Sequence, residues 1–334
     1  MDALFAVEAG AAFGLGHFMR CRTLARELHR RGRSLTLALR GDVGLVSRWI
    51  WPRGTGIVAL PDDLEAASER VLALGQEHQP RWAIIDGYGL LGSGLLSELK
   101  RANRATLAID DLADQTVPAD LILNQNVSDA ALYGDMAVGT ITLLGPQFAL
   151  VAEAFREVRR GGVESECASR VLVSFGGSDL RGMTPLILRS LAAVQNAVTD
   201  VDVVVGPYHV RSNLIEAENF VVRYHVAEQS LSALMAAADI VISASGTSCW
   251  ETCCVGRPLI AVQTVENQRQ VAAMLRRNGA AVTLDTTKDG FCQNAFATAW
   301  RNIQPMAVRS RLAAAARGLV DGLGPARVAD ALGL

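Results

Sequence analysis

Short β-rich runs alternate with amphipathic helical segments along this chain, and they do so in two separate series. In the first half the runs are Leu4-Val7, Leu35-Leu39, Ile57-Leu60, Trp82-Asp86, Thr106-Asp110, Leu121-Asn124 and Thr140-Leu144. In the second half they are Val171-Phe175, Val201-Val205, Phe220-Tyr224, Asp239-Ser243, Leu259-Val262 and Ala280-Leu284. Strands that alternate with helices pair in parallel through crossover connections, so the pattern predicts two open α/β sheets. Several runs end in glycine or acidic residues, as at Asp86-Gly87-Tyr88-Gly89 and Asp110-Asp111, where an open α/β sheet presents its carboxyl edge to ligands.

The alternation stops between Gly145 and Arg170. Gly145-Pro146, Gly161-Gly162 and the polar Glu164-Ser169 stretch surround one short helical segment near Val151-Arg159, which reads as an interdomain connection. A chain of 334 residues exceeds a typical single core, and two domains of roughly 150 residues each are expected. We set them at 1–160 and 161–334, both α/β and Rossmann-like, facing a cleft. The alanine-rich tail from Pro305 to Leu334 is helical in pattern and is expected to pack back on the body.

Composition excludes several classes. With 32 basic and 34 acidic residues the formal charge is -2, without the basic surface that binding to nucleic-acid phosphates requires. Half of the residues are hydrophobic, yet no apolar stretch approaches the roughly 20 residues of a membrane span. Asp2 and Glu8 interrupt any signal-peptide pattern, which gives an expectation of a cytoplasmic protein. Its expected partner is a small molecule, and the oligomeric state is left open, with a monomer compatible. Cys21, Cys167, Cys249, Cys253, Cys254 and Cys292 form no Cys-x-x-Cys pair and are expected to be reduced and buried. Two pairs at helical spacing, His17 with Cys21 and Cys249 with Cys253, supply only two ligands each, so no metal site is expected.

The motif richest in chemistry is Gly14-Leu15-Gly16-His17, between the first strand and a helical segment from Phe18 to Arg31. Glycines let backbone approach a phosphate, and the amides and dipole of a helix start favour its charge. His17 at that position can exchange a proton near neutral pH, although a histidine there is as readily an ordinary first-turn polar residue. In the second half, Ser174-Phe175-Gly176-Gly177-Ser178-Asp179 and Ser243-Ala244-Ser245-Gly246-Thr247-Ser248 each follow a strand and precede a helix. Their hydroxyls and amides suit a diphosphate, but Ser and Thr at helix starts also serve as N-caps worth about 1 kcal/mol. Glu251, one turn beyond Thr247, suits two ribose hydroxyls or a solvated helix face. Glu266-Asn267-Gln268 reads as a sugar-contacting turn or a capping sequence. Asp110, Asp111 and Asp114 cluster, which reads as a solvated loop first and as carboxylates for metal catalysis second. Neither a Gly-x-x-x-x-Gly-Lys-Ser/Thr loop nor a Gly-x-Ser-x-Gly elbow occurs.

Taken in order, the motifs resemble the UDP-sugar hydrolases of pseudaminic acid biosynthesis, which release a 2,4-diacetamido-2,4,6-trideoxy sugar from UDP. The resemblance covers nearly the whole chain. It rests on Gly14-Leu15-Gly16-His17 with Arg20-Cys21 and Leu24-Ala25, on Ile109-Asp110-Asp111-Leu112-Ala113, on Asp120 to Asn126, and on Leu144-Gly145-Pro146-Gln147-Phe148-Ala149-Leu150. In the second half it rests on Val173 to Asp179, Val205-Gly206-Pro207, Gly246 to Glu251 and Glu266-Asn267-Gln268.

That family is similar to the peptidoglycan glycosyltransferase of the lipid II pathway, and the resemblance implies a GT-B architecture with neither metal nor cofactor. It implies that the second domain holds UDP, with Gly176 and Gly177 near the nucleotide and the backbone near His225 and Val226 on the uracil. Ser245, Gly246 and Thr247 would hold phosphate, Glu251 the ribose, and Asn267 and Gln268 the substrate. His17 would act as acid/base while water attacks the anomeric carbon, and we place Glu8 and Asp86 with it in the catalytic set. Gly14, Gly16, Tyr88, Asn126 and Tyr133 complete the substrate-binding positions. Two departures fall on strand ends of the first domain. Where the family reads Arg-x-Asp the chain has Ala6-Val7-Glu8, and where it reads Asp-His-Tyr-Gly the chain has Asp86-Gly87-Tyr88-Gly89. Hydrolysis of a UDP-linked diacetamido or related amino sugar is therefore the leading expectation. A glycosyltransferase using the same donor, and a nucleotide-sugar-binding protein without turnover, are the alternatives.

Overall fold

The computed structural model describes residues 1–45, 51–134, 139–159, 162–163, 165–177, 179, 181–194, 197–208, 219–226 and 231–334. The chain divides into two compact units, Met1–Val151 completed by Leu323–Leu334, and Ala152–Gly322.

The first unit is built on a parallel sheet of strands β1 (Ala3–Ala9), β2 (Leu35–Gly41), β3 (Gly56–Leu60), β4 (Trp82–Asp86), β5 (Ala105–Ile109), β6 (Leu121–Asn124) and β7 (Ile141–Leu144), in the order β3-β2-β1-β4-β5-β6-β7. All seven residues of β1 are buried, as expected of a central parallel strand covered on both faces. The strand order reverses between β1 and β4, whose register pairs Ala6 with Ile85 and Val7 with Asp86. That reversal opens a crevice at the carboxyl ends, where open α/β sheets bind ligands.

Helix α1 (Gly16–Arg30) leaves β1 through a loop in which Gly10 and Gly14 form a bridge and Gly14 adopts φ +79°. Its buried apolar residues Phe18, Cys21, Leu24, Ala25 and Leu28 recur at helical spacing and form the stripe that faces the sheet. Helices α2 (Leu64–His78), α3 (Tyr88–Gly92) and α4 (Leu95–Arg101) cover the sheet further along, and Leu4, Ile85, Leu90, Leu96, Leu99 and Ile122 form a core between these layers.

The second unit repeats the plan. After the short α5 (Glu153–Glu157), strands β8 (Arg170–Ser174), β9 (Asp200–Val205), β10 (Val221–Val226), β11 (Ile240–Ala244), β12 (Leu259–Gln263) and β13 (Val282–Asp285) form a parallel sheet ordered β10-β9-β8-β11-β12-β13. Helices α6 (Met183–Ala193), α7 (Ser232–Ala237), α8 (Thr247–Val255), α9 (Arg269–Arg277), α10 (Gln293–Ile303) and α11 (Met306–Leu319) accompany it. The order again reverses, here between β8 and β11, so this sheet has its own crevice.

Every β-rich run of the sequence forms a strand, with ends displaced by at most two residues. The helical segment near Val151-Arg159 is shorter, at Glu153–Glu157. The tail divides, with α11 in the second unit and α12 (Gly324–Ala331) in the first, whereas the sequence boundary assigns both to 161–334. The physical reason is a set of bonds that bind the terminus to the first unit. Arg31 donates to the Asp330 carboxylate at 2.7 Å and to the Leu334 carbonyl at 2.9 Å, and the Trp82 indole donates to the Leu332 carbonyl at 2.9 Å. No helix among the described residues is long and apolar enough to cross a membrane.

Gly324 starts α12 against the backbone of Phe148 and Ala149, and a Cβ there collides with the Ala149 carbonyl oxygen. Gly324→Ala is therefore expected to cost about 2 kcal/mol through overpacking, read as a lower urea midpoint for the first unit.

Candidate functional site

The first crevice holds a buried ionic array. Asp86, the last residue of β4, has no exposed surface, and its position beside β1 puts it over the start of α1. Asp86 Oδ1 faces His17 Nδ1 at 2.7 Å and accepts from Arg20 Nη2 at 2.6 Å, while Oδ2 accepts from Arg20 Nε at 2.7 Å and from Cys21 Sγ at 3.2 Å. His17, Arg20 and Cys21 share one turn of α1, so a single helix start delivers all three partners. Burial alone raises the Asp86 pKa, but Arg20 and His17 outweigh it and hold the carboxyl well below the usual carboxylate range. The same environment raises the Cys21 thiol, by burial first and then by Asp86, so Cys21 stays a neutral donor.

His17 Nδ1 faces both the Asp86 carboxylate at 2.7 Å and the Arg20 Nη2 donor at 3.0 Å, and we take the shorter contact, to an acceptor-only oxygen, as the Nδ1–H bond, which leaves the proton off Nε2. The ring is further held by Tyr88, which stands edge-on with centroids 5.0 Å apart. His17 retains 8% of its side-chain surface. It is a partnered histidine within the crevice rather than a solvated first-turn residue.

Arg20 reaches a second carboxylate. Its Nη1 donates to Asp111 Oδ1 at 2.5 Å, and the same oxygen accepts from Asn126 Nδ2 at 2.7 Å. Asp110 beside it accepts from the amides of Leu112 at 3.1 Å and Ala113 at 3.0 Å and from the Tyr133 hydroxyl at 2.7 Å. The expectation of a solvated loop fails for Asp110 and Asp111, which are buried, and holds only for the exposed Asp114. β5 ends at the carboxyl edge that the sequence pattern predicts, and there each carboxylate finds donors that a solvated loop does not offer. Tyr133 is itself buried, its hydroxyl also accepting from Asn124 Nδ2 at 2.8 Å. Burial and then Asp110 raise its pKa, so Tyr133 braces the wall with a neutral hydroxyl.

Glu8 is buried but joins a different group. It pairs with Arg40 Nη1 and accepts from the Gly89 amide at 2.8 Å, and Arg40 in turn donates to the Asp62 carbonyl and lies 5.2 Å from the Phe13 ring centroid. Gly87 has φ +146°, and a Cβ there would lie 2.5 Å from Glu8 Oε2. The long Glu8 side chain thus occupies the space that a side chain at position 87 needs, which links the two departures from the family pattern. His17 and Asp86 converge directly, whereas Glu8 ties together strand ends and the start of α3. Gly14 and Gly16 shape the loop into α1.

In the second unit, the turn after β11 has the features of an anion cradle. Ser245 is fully buried, and its Oγ has no hydrogen-bond partner among the described residues. Gly246 is the N-cap of α8, and no side chain caps that helix start, so Ser245 and Thr247 are not the caps that their residue types suggest. Glu251 is partly buried, and burial raises its pKa to about 7 against the opposing bond from Ser248. After β8, Gly176 has φ +76° and open space at its Cβ position, and Gly177 accepts from the Tyr208 amide at 3.1 Å. Asp179 caps α6 by accepting from the amides of Met183 and Thr184, both at 2.8 Å, while Ser178 lies outside the described residues. Val226 is exposed at the end of β10, next to His225, which pairs with Asp202 at 2.7 Å. Glu266–Gln268 form a single 3-10 turn in which Gln268 accepts from the Thr264 amide at 2.8 Å, and Asn267 lies at its centre. Cys249, Cys253 and Cys254 are buried and free, but Cys167 and Cys292 are exposed, contrary to the expectation for all six.

Arg40 has no role in the sequence reading, and the pairing of Arg20 with Asp111, each quoted there only within a motif, is not anticipated by it. An arginine on the apolar stripe of α1 is the available signal, since buried arginines require anionic partners.

The chain is similar to several known proteins. Residues 171–289 match the family model described as glycosyltransferase family 28 C-terminal domain. Over 307 residues the chain is 20% identical to an uncharacterized protein of Methanocaldococcus jannaschii, covering 87% of this chain and 61% of that protein. Over 195 residues it is 28% identical to spore coat polysaccharide biosynthesis protein SpsG of Bacillus subtilis, covering 55% of this chain and 56% of that one. The chain thus spans about three fifths of the length of these curated relatives. Among solved structures, MurG of Acinetobacter baumannii has a TM-score of 0.71 at 12% identity, covering 100% of this chain and 99% of its own. Spinosyn rhamnosyltransferase SpnG, solved with thymidine diphosphate, has a TM-score of 0.67 at 16% identity and full coverage of both chains. The two parallel sheets and these likenesses give the chain the GT-B architecture of two Rossmann-like domains.

Proposed function

We propose that this protein is a nucleotide-sugar enzyme that breaks the bond between the anomeric carbon of an amino sugar and the diphosphate of UDP. The observation that carries the reading is the His17-Asp86 pair, buried at the switch point of the first sheet with Nε2 left for substrate. The first domain supplies His17 and the sugar pocket, and the second holds the nucleotide.

In this mechanism His17 Nε2 takes the proton from an attacking O–H group as its oxygen forms a bond to the anomeric carbon. The bond from that carbon to the diphosphate oxygen breaks, and UDP leaves with the electron pair. Asp86 accepts from Nδ1–H throughout and stabilises the imidazolium that forms, without itself taking the proton. Arg20 keeps Asp86 ionised and fixed. In the second domain, the uncapped start of α8 and the unpartnered Ser245 hydroxyl suit the diphosphate, as helix starts suit anions. Glu251 suits the ribose hydroxyls and Val226 flanks the base.

The attacking group is a hydroxyl of an acceptor in the reading that the family 28 match and the GT-B likeness support. Water in the same position gives hydrolysis, the reading that the ordered motifs of the first domain support. The purified protein, UDP-linked acetamido sugars, isotopically labelled water and an acceptor panel separate these two outcomes by mass spectrometry. Acceptor-dependent UDP release with glycosylated acceptor is expected for transfer, and label at C1 of the free sugar for hydrolysis. Neither product from any donor would falsify the proposed chemistry.

His17→Ala is expected to lower kcat by about 10²- to 10⁴-fold with UDP affinity kept within twofold, since it removes the acid/base and leaves the second domain intact. Equal loss of binding and turnover contradicts that assignment. A second expectation concerns the proton on Glu251. Free Glu251, with its pKa raised to about 7, holds its proton in part of the population at neutral pH, and ribose hydroxyls donate best to the ionised form. UDP binding is therefore expected to release protons and to tighten as pH rises from about 6 to 8. Calorimetry in buffers of different ionisation enthalpy reads this, and Glu251→Gln should abolish it.

A further inference from the structure

The two carboxylates bridged by Arg20 are unequal. Asp86 has no exposed side-chain surface, and both of its oxygens are engaged by two donors each. Asp111 keeps 12% of its side-chain surface open. Its Oδ1 is taken by Arg20 and Asn126, whereas Oδ2 has only the Tyr88 hydroxyl at 3.4 Å, a long contact. An ionised carboxylate offers about four acceptor positions, so Oδ2 has capacity that the described residues leave unused. The residue beside that oxygen is Tyr88, which is 41% exposed and whose ring stands edge-on to His17. The spare acceptor, the exposed tyrosine and the acid/base histidine therefore share one edge of the first crevice.

We propose that Asp111 is a specificity-determining residue that reads a hydrogen-bond donor on the glycosyl group, a hydroxyl or an acetamido N–H, through Oδ2. The inference rests on the nucleotide-sugar reading above and adds to it the chemistry of one sugar substituent. Asp111 is paired with the Arg20 guanidinium, and an ionised carboxylate accepts hydrogen bonds without donating them. It therefore favours sugars that present O–H or N–H at that point, and it penalises those that present hydrogen or a carbonyl oxygen, because Oδ2 is then left with only the long Tyr88 contact. Asp86, closed on all sides, orients His17, while Asp111 is the half of the array that meets substrate.

The test compares wild-type protein with Asp111→Asn on a series of UDP-linked sugars in which single hydroxyl or acetamido groups are replaced by hydrogen. In the wild type, one replacement is expected to lower kcat/KM by roughly 10- to 100-fold, the size of a hydrogen bond to a charged acceptor. Asp111→Asn should treat that analogue and the parent within about threefold, with UDP affinity unchanged. If Asp111→Asn keeps the full discrimination at every position, or lowers all substrates equally, Asp111 serves only to brace Arg20 and the proposal is overturned. Asp111→Glu preserves the charge facing Arg20 but moves the oxygens by one methylene, so it remains informative where the asparagine variant does not fold. It must shrink or relocate the penalty, and an unchanged penalty also overturns the assignment. Failure of the underlying reading has a separate signature, since the wild type then turns over no member of the series.

Discussion

Burying the Asp86 carboxylate is the constraint around which the first domain is arranged. An ionised group at the end of a central parallel strand is tolerated only with donors on both oxygens, and four are supplied from one turn of α1. That requirement fixes where α1 must begin, and hence the glycine-containing loop between Gly10 and Gly16. It also explains why a helix stripe of Phe18, Cys21, Leu24 and Leu28 tolerates an arginine on its buried side. Arg20 has two fixed anions, Asp86 and Asp111, which outweigh the burial that opposes its charge.

Around this array, the first domain fills with polar bonds that hold strand ends together. Asp110 turns the chain after β5 and ties it to Tyr133, and Glu8 ties β1 to β2 through Arg40 and to the start of α3 through Gly89. The Glu8 tie depends on the absence of side chains at positions 87 and 89, because a Cβ at either would lie 2.5 Å from a Glu8 carboxylate oxygen. A longer acidic side chain and a glycine therefore act as a pair. They position Tyr88 beside His17 by backbone bonds, in a place where a larger side chain at 87 would have contributed its own chemistry.

The second domain shares the order of the first six strands of the first sheet but carries different groups at its strand ends. Its crevice contains no comparable array of paired charges among the described residues. Instead, the turn after β11 leaves a helix start without a side-chain cap and a buried serine hydroxyl without a partner. Unsatisfied donors at a helix start are costly in isolation and favourable next to an anion. The two sheets thus differ in what lies at their carboxyl ends among the described residues, paired charges in the first and a helix start without a side-chain cap in the second.

Strand number, parallel pairing and the division into two α/β units were legible in the sequence, because buried parallel strands need continuous apolar runs and crossover helices need a 3.6-residue stripe. His17, Asp86 and the glycine turns were legible for a similar reason, since they sit where local pattern changes from strand to helix. The partners of these residues were not. Asp111 read as a solvated loop residue, Arg20 as a motif companion and Glu8 as a catalytic carboxylate, because the sequence places them 91, 66 and 81 positions from Arg20, Asp86 and Gly89, the groups they bond. Only the sheet order, which brings the ends of β1, β4 and β5 side by side, decides which charges meet. The C-terminal helix gives the same lesson, as its pattern announces a helix while its docking on the first domain depends on Arg31 and Trp82, far away in the chain. Local periodicity is a property of neighbouring residues and is written in the sequence, whereas the pairing of buried charges is a property of distances that exist only after the sheet has formed.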